Sequence, residues 1–366
     1  MIRPIRAWNA FFFRPTSARP LGAIRILFGL LALANLGFSA VEIDHWYSDA
    51  GLLRGDEARI VAGPLQLSPL LYLQDPTSVR VAFALTAAAA ALLTIGFRSR
   101  LMSILFYLGM LTLHFRNIVS SSGADVLVMT FAFNLMLCPS GAAYSVDALF
   151  ERRRRGTDAE PLILPWGLRL IQIQISLIYV MAAVLKAGGN LWINGSALHY
   201  VFHNSEVRRL DVSFLTEYPA LINLMTYSAL MMEFSLAFFL WFRAARPLVL
   251  WVGLMLHLGI LATINIPIFG ELMWVGYLAF LTPPEFDALV AAVDVRRWFR
   301  PAKPAATVPE AAAQPFVPSA TVRIDGPSPV AVPAPHLARP VPESALESEE
   351  SERDEAEIYG SFQILF

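Results

Sequence analysis

The chain has 366 residues, of which 56% are hydrophobic and only 16% charged, with a formal net charge of −1. Soluble domains carry about 25% charged residues, so the composition excludes an ordinary soluble fold, and the near-zero net charge gives no footing for nucleic acid. Cys138 is the single cysteine, which excludes a disulfide framework and a thiolate metal cluster.

Residues 1–20 form a basic and aromatic segment with Arg3, Arg6, Arg14 and Arg19. The positive-inside rule keeps it in the cytoplasm, with Phe11 to Phe13 along the interface. The apolar run that follows, Leu21 to Val41, is a full span rather than the short core of a cleaved signal. Gly22, Arg25, Gly29, Ala32 and Ser39 share one face of it, mostly small residues suited to close helix packing. Arg25 either snorkels to the cytoplasmic interface or pairs inside the bundle.

The loop from Glu42 to Thr77 is acidic and aromatic, hence extracytoplasmic, and Leu65 to Leu73 is too short to cross. Further spans are predicted over Val79 to Phe97, Leu101 to Phe115 and Val126 to Cys138. The run Glu151 to Arg155 carries four consecutive arginines and fixes that loop in the cytoplasm. A fifth span opens near Pro165 and carries through Val184. The sixth, Pro219 to Phe242, is rich in methionine and holds Glu233 in its cytoplasmic half. The seventh runs from Pro247 to Ile264, and a short eighth from roughly Glu271 to Leu281. The fold class is therefore an all-α polytopic membrane bundle of about eight transmembrane helices over residues 21–283, with both termini cytoplasmic.

Residues 284–300 read as an amphipathic interfacial helix. From 301 to 366 the composition turns to proline, alanine and valine, then to an acidic run from Glu343 to Glu357, and ends on an apolar-aromatic Ile358 to Phe366. A disordered tail is expected there, either solvated or a docking peptide for a cytoplasmic partner.

Chemistry concentrates on the fifth span. Gln172, Ser176, Tyr179, Ala183 and Lys186 fall at helical spacing on one face, which no lipid-facing stripe would carry. Lys186 either snorkels to headgroups or is held half-dried as a candidate base, with a neutral amine available. His114 and His257 are packing histidines or proton carriers. Tyr179, Gln172, Trp192 and Asn117 are candidate ligand contacts, and Arg25 or Arg169 is within reach of Glu233 for a structural ion pair. His199 and His203 stand at i, i+4 but lack a third ligand, so no metal site is expected.

These residues occur in an order that resembles the membrane domain of vitamin K-dependent gamma-carboxylases and their bacterial relatives, the horizontally transferred transmembrane (HTTM) domain. The matching pieces are Arg25, the stretch Trp46 to Leu53, Arg116 and Asn117 followed by Gly123 to Asp125, and Tyr144 to Asp147. Tyr179 through Lys186 and Trp192 to Gly195, then Leu256 to Gly259, complete the set. The resemblance covers approximately residues 10 to 285 and implies that Lys186 is the base that deprotonates a reduced vitamin K-like quinone. It also implicates a histidine after the third helix, for which His114 is a loose match. It does not extend to the large lumenal domain that binds protein substrate in animal carboxylases. Two readings follow. One is a bacterial inner-membrane enzyme that uses a quinol-type cofactor on an exported peptide or small molecule. The other is a non-enzymatic maturation or immunity partner of an exported peptide. Membrane lipid is a partner in both.

Overall fold

The computed structural model describes residues 3–62, 68–156 and 160–293. The predicted tail over 301–366, and the end of the interfacial helix beyond Val293, lie outside the described residues.

In chain order, α1 (Arg3–Phe13) leads through β1 (Thr16–Ser17) into α2 (Arg19–Ala40). Two short helices, α3 (Ile43–Tyr47) and α4 (Gly55–Ala62), precede a three-helix run of α5 (Pro76–Ile95), α6 (Ser99–Arg116) and α7 (Gly123–Leu137). Basic α8 (Val146–Arg155) and β2 (Leu162–Ile163) then lead into α9 (Trp166–Ala187). Beyond it come α10 (Asn190–Ile193), α11 (Ala197–His203), α12 (Pro219–Phe239), α13 (Arg246–Thr263), α14 (Phe269–Tyr277) and α15 (Pro283–Val293). The only strands among the described residues are the two-residue antiparallel pair β1–β2. Among the described residues five helices, α2, α5, α9, α12 and α13, are long and apolar enough to cross a bilayer. Three expected spans are shorter or more polar: α6, α7, and α14 with the 3₁₀ turn Leu278–Phe280 that continues it.

Local chemistry sets the helix boundaries. Asp75 caps α5, its Oδ1 accepting from Ser78 N at 2.9 Å, and Pro76 supplies the preset φ of the first turn. Ser122 and Asp125 form a reciprocal capping box at the start of α7. Ser145 caps α8, where its Oγ accepts from Ala148 N at 2.8 Å.

Sequential helices pack as neighbours, α5 on α6, α6 on α7 and α12 on both α9 and α13, while α2 contacts α5, α7 and α14 from the centre. One continuous apolar core joins them. Phe28 stacks on Phe131 at 5.9 Å and meets Phe106 edge-on at 5.8 Å. The small-residue face of α2 is where helices approach most closely. A Cβ built on Gly29 would fall 2.1 Å from Thr94 Oγ1, on α5. Gly29→Leu should therefore destabilise the fold by about 1–3 kcal/mol through forced helix separation, measured as a lowered unfolding midpoint in detergent; an unchanged midpoint would show the α2–α5 contact to be plastic.

Arg25 neither snorkels nor meets a carboxylate. It is fully buried and donates to the carbonyls of Ser140 (2.7 Å), Ala143 (3.2 Å) and Tyr144 (2.6 Å) in the turn between α7 and α8. A second, smaller apolar cluster of Val201, Phe202, Ile222 and Ile264 knits α11 to the starts of α12 and the end of α13. The segment between α9 and α12 thus forms a packed cap.

Candidate functional site

The polar face of α9 turns inward, with Gln172, Tyr179 and Ala183 all buried. Lys186 is in the last turn of this helix, and its Nζ donates to Glu233 Oε1 on α12 at 2.6 Å. The two side chains retain only 11% and 10% of their exposure. Trp192, buried on α10, places its ring 5.4 Å from the same Nζ. The amine therefore does not snorkel and does not stand alone. It is an ion pair with an aromatic wall.

Deeper along the same face, Tyr179 OH lies 2.7 Å from His257 Nε2 on α13 and forms a second, short hydrogen bond with Tyr277 OH on α14. Which group donates depends on the histidine tautomer. Below that, Trp241 Nε1 donates to Ser176 Oγ at 2.8 Å, and Gln172 Nε2 donates to Ala279 O at 2.7 Å. These side-chain bonds fix the register of the helices. Glu233 sits level with the end of α9, so the stretch of α12 from Pro219 to Glu233, roughly 21 Å of helix, rises beyond it and carries the cap of α10 and α11. Tyr227 OH, in that rising part, donates to Ile193 O at 2.8 Å.

This register overturns one expectation. Glu233 was expected to pair with Arg25 or Arg169, and among the described residues it meets neither. Arg25 is consumed by three carbonyls, as described above. Arg169 lies over the Phe11 ring at 4.2 Å and donates to Phe11 O at 3.2 Å and Gln172 Oε1 at 2.7 Å. The partner of the Glu233 carboxylate is Lys186.

A scan against family models matches the HTTM domain over residues 13–284. The chain belongs to the HTTM domain family. No solved structure matches it. With its long apolar helices, this HTTM domain chain is a multi-pass membrane protein.

Other predicted residues of the HTTM domain sit elsewhere. His114 belongs to a separate group at the junction of α6 and α7, its Nδ1 2.5 Å from Ser121 Oγ. Asp125 accepts there from Asn35 Nδ2 at 3.3 Å, and burial, with the Asp125 charge added, pushes the nearby Tyr47 phenol up to about 12. Asn117 is occupied by the fold: Nδ2 donates to Trp46 O at 2.8 Å and Oδ1 accepts from Ser120 N at 3.2 Å. Gln172 likewise has both ends bonded. The rings of His199 and His203 lie 4.6 Å apart on α11, tilted to each other. A cleft of about 1100 Å³ opens at the opposite end of the bundle from Lys186, lined by Ser99, Arg100, Cys138, Asp147, Arg152 and Trp166 among others, and shares no residue with the Lys186 group.

Tyr277 escaped the sequence reading. Its signal was a lone hydroxyl in the short apolar run Glu271 to Leu281. Two orphaned atoms complete the site: Glu233 Oε2 and His257 Nδ1 are buried with no hydrogen-bond partner among the described residues.

Proposed function

We propose that the chain is a bacterial inner-membrane protein whose eight helices α2, α5, α6, α7, α9, α12, α13 and α14 cross with both ends cytoplasmic, and whose outward end handles the proton of a quinol-type cofactor. The basic α8 and the acidic, aromatic segment around α3 support that orientation. The observation that carries the reading is the buried Lys186–Glu233 pair beside Trp192, with one carboxylate oxygen unused. An ionisable group inside a membrane bundle is a candidate functional site.

The residues fit such a ligand. Trp192 offers a ring face, Glu233 Oε2 offers a free acceptor for a hydroxyl, and Lys186 offers a donor. A bound quinol supplies an acidic hydroxyl and reducing power. The protein's own step is a proton shift along the 2.6 Å bond from Nζ to Oε1, which leaves a neutral amine and a neutral acid. The amine can then take a proton from the hydroxyl it faces. Tyr179, His257 and Tyr277 form a hydrogen-bonded support behind it and hold the helices in register. The substrate modified at this end is an exported peptide or a small molecule.

Quinone extraction from the purified full chain tests this. Wild type should retain a quinone at near-stoichiometric amounts, and Lys186→Ala and Trp192→Ala should lose roughly tenfold or more, equivalent to about 1.4 kcal/mol of binding. A wild type free of quinone, with a peptide co-purifying equally with Lys186→Ala, would replace this reading by the non-enzymatic partner of an exported peptide.

A further inference from the structure

Arg116 is the last residue of α6 and has no exposed surface. Its Nη2 donates to Leu53 O at 2.9 Å. Nε and Nη1 are buried with no acceptor among the described residues. Nor does Arg116 form a salt bridge there. The contrast with Arg25 is instructive, since that guanidinium spends both terminal nitrogens on three carbonyls and leaves only Nε.

A structural role explains one of the Arg116 bonds and no more. The loop over it is already held by Asn117, whose Nδ2 donates to Trp46 O at 2.8 Å. Asp49, exposed on that loop, is the acid whose field reaches the guanidinium, but it makes no contact. Arginine stays charged at any physiological pH, so burying it with the three N–H bonds of Nε and Nη1 idle is costly unless an anion answers them. Oxyanions are the ligands that guanidinium groups bind best.

We infer that Arg116, beneath the Trp46 to Leu53 loop, anchors a binding site for an oxyanion. The same chemistry could come from a peptide carboxylate or from a free inorganic anion. The site is separate from the Lys186 group and does not depend on its function.

Thermal unfolding of the purified full chain in detergent, followed by tryptophan fluorescence at constant ionic strength, tests it with four probes: acetate, phosphate, glycylglycine and glycylglycine amide. The wild-type midpoint should rise saturably with acetate or phosphate, and Arg116→Gln should abolish the rise. A response to acetate and glycylglycine but not to the amide or to phosphate identifies a carboxylate; a response to phosphate identifies an inorganic anion. Asp49→Asn removes the competing charge and should lower the half-saturating concentration roughly threefold. A rise that never saturates, or that persists unchanged in Arg116→Gln, is a general salt effect and overturns the inference. If Arg116→Gln does not fold, the exposed Asp49→Asn variant decides alone, and an unchanged half-saturation in it overturns the inference equally.

Discussion

Lys186→Met alone is expected to cost about 3–5 kcal/mol of stability, because it strands the Glu233 carboxylate inside the bundle with no partner. Both side chains are about nine-tenths removed from solvent, so screening offers little relief. Glu233→Leu should cost less. The stranded lysine is in the last turn of α9 and its flexible stem can reach water, whereas the shorter Glu233 side chain is held inside α12, more than a turn from either end. The double variant Lys186→Met with Glu233→Leu should recover to within about 1.5 kcal/mol of wild type, since buried pairs replaced by apolar residues are often neutral. The contrast inside the same molecule is Glu151 with Arg154 and Arg155, whose arginines are 75% and 66% exposed. Glu151→Gln there should be almost silent, as surface pairs are. Equilibrium unfolding of the four members of the Lys186–Glu233 cycle in mixed detergent measures the coupling. Single variants within about 0.5 kcal/mol of wild type would mean that water reaches the pair freely, and the site would lose its dry character.

How much of this was legible follows from what each residue's signal depends on. Helical spacing is local, so the inward face of α9 could be read from Gln172, Tyr179 and Lys186 alone. The charge run of Glu151 to Arg155 and the capping box of Ser122 and Asp125 are local too, each contained within a few consecutive residues. The pairing of Lys186 with Glu233 is a matter of register between two helices. Register depends on where α12 enters the bundle, and an apolar run from Pro219 onward carries no mark of the point at which it stops being cap and starts being core. The cap itself was hidden for the same reason, because Val201, Phe202, Ile222 and Ile264 come from three separate stretches. Arginine is the other blind spot. Arg25 and Arg116 advertise carboxylate partners, yet what they meet is backbone carbonyl, which every residue has and no sequence displays.

Arg25→Met is expected to destabilise the bundle nearly as much as loss of the ion pair, by about 3–5 kcal/mol. Three carbonyls, at Ser140, Ala143 and Tyr144, lose a charged donor, and each buried unsatisfied acceptor costs about 1–3 kcal/mol less whatever water recovers. Lysine is a poor substitute: a single ammonium on a flexible stem cannot span three acceptors as a planar guanidinium does, so Arg25→Lys should restore less than half of the loss. The site also has a steric wall. Gly96, at φ +73°, lies so close that a Cβ there would sit 2.9 Å from Arg25 Cζ and 2.3 Å from Ser145 Cβ, so Gly96→Ala should mimic part of the arginine defect without touching the guanidinium's charge. The turn is pinned from a second side by Asp147, whose carboxylate accepts from Arg98 N and from Ser99 N and Oγ, each at 2.8 Å. Arg25→Met and Asp147→Asn should therefore release the same segment by different routes. The readout is trypsin cleavage at the exposed arginines of α8, Arg152 to Arg155, which should accelerate in both variants while the rest of the bundle stays resistant. Acceleration in Asp147→Asn alone would show that the carbonyl bonds of Arg25 are dispensable and that the buried guanidinium has another use.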